Sequence, residues 1–187
     1  FAAHSRKALS VDQPDVLALI EPSLLVIDAM TTQIKSLDKS LELLANEKYP
    51  VTKVMRQITG VGVLTSLAFV LTVDDPERFQ KARDVGAYLG LVPKRDQSGN
   101  LDKELRISKA GDKYLRRMLV SAAQYILGPF GPDCDLREKG LALLERGGQK
   151  AKKKAVVAVA RKLAVVMLTM WKSGSNYECE RKLAGTT

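Results

Sequence analysis

The chain has 187 residues, 45% of them hydrophobic but only 5% aromatic, and 30 lysines and arginines against 21 acids give a formal net charge of +9. That length buries one good core with room for a helical arm, and the composition leans towards helices rather than a β-sandwich. The cation surplus suits a polyanionic partner, because each neutralised phosphate releases counterions, although an anionic membrane would answer to the same charge.

The two cysteines, Cys134 and Cys179, lie far apart without CxxC spacing, which argues against structural zinc and for a reducing compartment. No signal peptide is visible, and the apolar run AVVAVARKLAVVMLTMW is interrupted by Arg161 and Lys162, so it does not read as a membrane span. The expected location is the cytoplasm, with no membrane partner. The chain opens on Phe1 rather than methionine, inside ordinary protein sequence, and so reads as a fragment of a longer protein.

From about residue 15 to 47, Ile20, Leu24, Ile27, Met30, Ile34, Leu37, Leu41 and Leu44 recur three or four apart, a heptad-like stripe on one long helix. Pro14 is placed to begin that helix, Pro50 to stop it, and Pro22 either kinks it or starts it. So narrow a stripe needs a partner: its own domain, or a second chain in a coiled coil. Next comes VMRQITGVGVLTSLAFVLTVDD, in which Gly60 and Gly62 separate two helical segments, the second from about Leu64 to Val73. Glycines at that spacing suit the turn of a helix-hairpin-helix, whose backbone N–H groups approach phosphate at a helix N-terminus, or a plain αα-turn that touches nothing.

ERFQKARDVGAYLG reads as a helix over 77–90, followed by a polar loop of roughly 17 residues from Val92 to Ser108, a length that is often functional. A helix is expected from about Gly111 to Leu127, then the connector GPFGPDCD and short helices around 135–146. The last helix, Ala151 to Trp171, closes at Gly174. It starts in QKAKKKA, where cations oppose the helix dipole; facing phosphate explains them, and so does a solvated surface. The final dozen residues are expected to fray.

Two serines sit among glycines and cations. Ser108 precedes KAGDKYLRRMLVSAAQ and is a helix N-cap candidate. Ser98 lies at the tip of the loop in DQSGN, between Lys94 and Arg95 on one side and Lys103 and Arg106 on the other; turn chemistry alone would account for it. The only histidine, His4, lies at an exposed terminus, so a Ser-His-Asp triad cannot be assembled from this chain. A nucleophilic serine here would need cations or a metal ion to stabilise the alkoxide, and Asp96 and Asp102 are not spaced convincingly as ligands.

Three blocks in order, ITGVGVLTSLAFV, RFQKARDVGAYLGLVPKRDQSGN and RISKAGDKYLRRMLV, resemble the C-terminal transposase domain of the DEDD insertion-sequence family, over about residues 54 to 173. These are bridge-RNA-guided recombinases with an N-terminal RuvC-like domain, and the helix at 15–47 resembles the coiled coil joining their two halves. The family's catalytic serine follows G-L-x-P and a basic segment in an S-G dipeptide, here Gly90-Leu91-Val92-Pro93-Lys94-Arg95-Asp96-Gln97-Ser98-Gly99, so the resemblance puts the role on Ser98. It implies attack of Ser98 on a DNA phosphodiester, giving a phosphoserine link. It also implies an active site shared with four acids and a divalent metal, Mg, in the RuvC-like domain. No candidate for that domain is present, so no cofactor is expected in this chain. Lys94, Arg95, Arg106, Lys109, Arg116 and Arg117 would meet phosphates, with Gly60 and Gly62 forming the hairpin contact; Arg116 and Arg117 cannot both face one way on a helix.

The expected fold is mainly α: a long coiled-coil-like helix over 1–50, a helical domain with a helix-hairpin-helix and the serine loop over 51–175, and a flexible tail over 176–187. The expected partners are DNA, a guide RNA and further copies of the chain joined through the N-terminal helix. A different class remains: a helix-hairpin-helix module that docks DNA without covalent chemistry.

Overall fold

The computed structural model describes residues 1–98, 101–148 and 150–179, with backbone alone for 11–12, 95–98 and 101–105. The chain is mainly helical and divides into two compact units, Phe1–Leu44 and Ala45–Thr187.

In the first unit, α1 (Ala2–Asp12) is followed after Gln13 by α2 (Pro14–Lys48), whose final turn belongs to the second unit. His4, expected at a frayed end, is exposed but lies within α1. Pro14 occupies the first position of α2, where its missing N–H costs no bond. The helix continues through Pro22, so Pro14 is the start that the sequence left undecided. Arg6 on α1 bridges Glu21 at 2.9 Å and Asp28 at 2.6 Å, and Asp28 foremost, then Glu21, raises the tendency of its guanidinium to stay charged.

The middle of the α2 stripe, Ile27, Met30, Ile34 and Leu37, is exposed. Among the described residues of the first unit, none covers it. By length and composition α2 is also apolar enough to cross a bilayer, with a mean hydropathy of 1.3 over its best window. An unpaired apolar stripe passes that test as readily as a membrane segment does.

The second unit is built on α8 (Ala151–Ser173), ended by Gly174 in the left-handed conformation at φ 64°. Around it pack α3 (Val51–Met55), α4 (Val63–Val73), α5 (Val85–Tyr88), α6 (Lys113–Leu127) and α7 (Asp135–Glu145). Leu163, Met167 and Leu168 of α8 are fully buried with Phe69 and Val73 of α4 and Leu115, Leu119 and Ile126 of α6. Small residues set the closest approach: a side-chain carbon on Gly140 of α7 would come within 2.7 Å of Val159 on α8 and 2.4 Å of Leu127 on α6.

Two expectations are corrected here. The helix expected over 77–90 is two 3-10 turns, Pro76–Arg78 and Ala82–Asp84, followed by the four-residue α5. Asp75 caps the first turn by accepting from the Glu77 N–H at 2.8 Å, which diverts the backbone from continuous helix. The polar loop expected over 92–108 is a β-hairpin, β1 (Pro93–Ser98) paired antiparallel with β2 (Leu101–Ile107), with an irregularity between Pro93 and Arg95.

At the far end of the unit, Gln57 ties the chain beyond α8: its amide donates to Asn176 Oδ1 at 2.9 Å and its Oε1 accepts from the Tyr177 N–H at 2.8 Å. Leu163→Ala removes a fully buried side chain from the centre of α8. We expect it to lower the unfolding free energy by about 2–5 kcal/mol, read as a lower urea midpoint at an unchanged m-value.

Candidate nucleic-acid interface

The hairpin is fastened at its base by two close backbone crossings. Gly90, at φ +67°, lies so near Ala110 that an added Cβ would meet that residue's carbonyl oxygen at 2.3 Å and nitrogen at 2.4 Å. Gly111, at φ +73°, approaches Tyr88 closely enough that its Cβ would sit 2.1 Å from the carbonyl oxygen. Glycine is required at both places, for the positive φ and for the space. Between them the chains exchange backbone bonds, Ser108 N–H to Val92 O at 2.8 Å and Lys109 N–H to Gly90 O at 3.1 Å. Lys109 itself takes a left-handed φ of 57°.

Arg116 closes this neck. Its Nη1 donates to Leu89 O at 3.1 Å and Ala110 O at 2.8 Å, with a longer contact to Asp112 O at 3.4 Å. A guanidinium presents several N–H donors in a fixed plane, so one side chain can serve carbonyls from both crossing segments. Arg116, expected among the phosphate contacts, thus has its Nη1 engaged by the protein's own backbone. Arg117, one residue on, is exposed, and helical geometry turns the two apart.

The start of α6 departs from expectation in the same way. Its N-cap is Asp112, which accepts from the Leu115 N–H at 2.6 Å. Ser108 only accepts a long 3.5 Å contact from Ala110 N–H and caps nothing. A carboxylate is a good acceptor for a first-turn N–H and complements the helix dipole, and the spacing D-x-x-L was there to be read.

The other site candidates fall on this frame. Lys94 and Arg106 are exposed and flank the Pro93–Ile107 pair at the hairpin base, with exposed Lys109 just beyond. Ser98 is the last residue of β1, in register with Leu101 beside the turn. Its side chain and that of Arg95 lie outside the described residues, so the hydroxyl's surroundings carry no weight here. Gly60, at φ +93°, packs on α6: its Cβ would sit 3.3 Å from both the Ala122 carbonyl oxygen and the Tyr125 ring. Gly62 is the extended N-cap of α4 with open space around it, and the first turn of α4 holds no acid. The structure thus brings Gly60 and the hairpin neck to opposite ends of one helix, α6.

Elsewhere, a surface groove of about 830 Å³ runs between α7, α8 and residues 175–178, lined by Leu136, Lys139, Lys162, Val166 and Tyr177 among others. Burial, then the neighbouring Cys134, pushes the Tyr177 phenol well above its ordinary value. None of the sequence-derived site residues lines that groove. Among the described residues, no group of three or more His, Cys, Asp or Glu side chains is placed to hold a metal ion.

Residues 52–133, which hold α3, α4, α5, the hairpin, the neck and α6, match the family described as Transposase IS116/IS110/IS902. The chain is 31% identical over 161 residues to the transposase for insertion sequence element IS1111A of Coxiella burnetii, a match covering 82% of this chain and 43% of that protein. It is 25% identical over 179 residues to the insertion element IS110 uncharacterized 43.6 kDa protein of Streptomyces coelicolor, covering 95% of this chain and 43% of the relative. The pilin gene-inverting protein of Moraxella lacunata is 32% identical over 110 residues, covering 58% and 33%. The chain thus matches less than half the length of each of these relatives.

Arg116→Met separates the two roles considered for that residue. Loss of the carbonyl clamp should cost about 1–3 kcal/mol of stability in urea unfolding, while the salt dependence of nucleic-acid binding stays as in the parent. Parent stability with a salt slope reduced by about one would return Arg116 to the phosphate contacts.

Proposed function

We propose that this chain is the C-terminal, nucleic-acid-binding part of a DNA transposase or recombinase, and that Ser98 is its nucleophile. The observation that carries the reading is the family match over 52–133, which spans both the glycine turn and the serine hairpin. Relatives named as transposases, and one named for inverting a pilin gene, share DNA rearrangement as their common activity.

A hairpin suits this chemistry. Its base is held by Gly90, Gly111 and Arg116, and Ser98 lies on a strand paired across the hairpin with Leu101. In the proposed step the Ser98 oxygen bonds to phosphorus and the bond to one deoxyribose oxygen breaks. The serine proton is removed, and the displaced oxygen leaves as a hydroxyl. The phosphoserine ester keeps the phosphodiester's bond energy, and attack by another strand's hydroxyl reverses the step. Lys94, Arg95, Arg106 and Lys109 would neutralise the phosphate, and Gly60 and Gly62 would offer backbone N–H groups to the strand as a helix-hairpin-helix.

The rest of the machinery is part of the same proposal: a RuvC-like domain supplying carboxylates and a divalent ion, a guide RNA, self-association through the exposed stripe of α2, and action in the cytoplasm. The strongly basic balance of the chain supports the nucleic-acid part.

The test is Ser98→Ala in the full-length protein. Strand exchange and any covalent protein–DNA adduct should disappear, while affinity for nucleic acid changes less than about twofold, since one uncharged hydroxyl contributes little to phosphate-dominated binding. Undiminished recombination by that variant would remove Ser98 from the nucleophile's role and leave the chain as a docking module.

A further inference from the structure

The outward face of α6 is unused by the chemistry proposed above. The helix contains no acid from Lys113 to Leu127. At 100° per residue, Tyr114, Arg117, Ser121 and Tyr125 fall on one side, with Lys113 at its margin. All five are exposed, the two tyrosines at 48% and 47%, whereas Leu115, Leu119, Ala122, Ala123 and Ile126 form the buried side. Arg116 points away towards the neck, where it holds Leu89 O and Ala110 O.

Half-exposed tyrosines on a helix whose apolar side is already fully used are not there to fill the core. Tyr125 is also braced, because the left-handed Gly60 brings the turn before α4 against its ring. A ring held on one side and open on the other is a low-entropy platform for a second flat π-system. Tyr114 lies about 16 Å away along the axis at 1.5 Å per residue, too far for both rings to clasp one base but suited to separate nucleotides of one strand. Arg117, one turn from Tyr114, and Lys113 supply positive charge with no acid on the helix to oppose it.

We infer that this face of α6 is a stacking surface for unpaired nucleotides: Tyr114 and Tyr125 take bases, and Arg117 and Lys113 take the phosphates of the same strand. In a duplex the base faces are covered by their neighbours, so exposed rings flanked by cations match a single-stranded or splayed-out segment of DNA or RNA. The inference rests on the nucleic-acid reading of the chain but not on the role of Ser98.

The chain is titrated against fluorescein-labelled oligo(dT), oligo(U), an abasic oligonucleotide of equal length and a DNA duplex, at several salt concentrations. Tyr114→Leu and Tyr125→Leu should each weaken oligo(dT) binding about tenfold and leave the abasic strand and the duplex unaffected. Tyr125→Phe, which keeps the ring and its packing on Gly60, should bind as the parent does. Arg117→Gln should weaken the oligonucleotide and its abasic counterpart alike and reduce the salt slope by about one. The ratio of oligo(U) to oligo(dT) affinity identifies RNA or DNA as the source of the strand. Leucine variants that bind oligo(dT) as the parent does, or that lose the abasic strand equally, overturn the stacking surface while the nucleic-acid reading stands. A parent chain that binds none of the four probes overturns both.

Discussion

The candidate site depends on the crossing beneath the hairpin, where two segments of backbone pass within a distance that only glycine allows. Gly90 and Gly111 remove the side chains that would hold the segments apart. That closeness leaves the carbonyl groups of Leu89 and Ala110 within reach of one donor, and Leu89 is buried, where an unpaired carbonyl is costly. Arg116 answers both from α6, so the helix, the neck and the hairpin are joined through one planar cation. One nitrogen of that cation is thereby committed to the neck, while Lys94, Arg106, Lys109 and Arg117 are exposed.

For the proposed nucleophile, such a neck resolves a conflict that faces any reactive group on a protrusion. It must extend from the body to reach a phosphate, yet must be held closely enough to be aligned with it. A two-stranded hairpin in isolation is marginal in water. Here its strands enter and leave through a junction braced by the core of the second unit, in which Leu89, Leu91 and Leu115 are buried on either side of the crossing. The turn before α4 is attached to the same support, since Gly60 rests on the C-terminal half of α6. A single helix thus sets the spacing between the hairpin and the glycine turn, both of which lie within the family match over 52–133.

The first unit follows a different physical logic. The exposed middle of the α2 stripe leaves apolar side chains in water at a heptad-like spacing. Burying even part of such a stripe against a copy of itself would recover about 25 cal/mol per Å². That is a reason for self-association which the second unit, with its closed core, does not share.

What the sequence determined by itself were the features carried by local pattern. The helical stripes of α4, α6 and α8 are legible because side-chain period and burial agree along one element, that of α2 because its period alone marks a helix, and Gly174 marks the end of α8 because only a left-handed residue closes it cheaply. The resemblance carried by Gly90, Pro93, the basic segment and Ser98-Gly99 singles out Ser98, whose role as nucleophile is a proposal. Tertiary structure decided the rest. β1 holds no apolar residue beyond Pro93, and β2 only Leu101, Leu105 and Ile107 among charged neighbours, too sparse a pattern to announce two strands, and cross-strand pairing made them so. Arg116 and Arg117 are chemically identical neighbours; one became a clamp and the other a surface cation because the helix turns 100° between them and only one side faces the carbonyls. A cation's role depends on what the fold places within reach of it, and that information is not local.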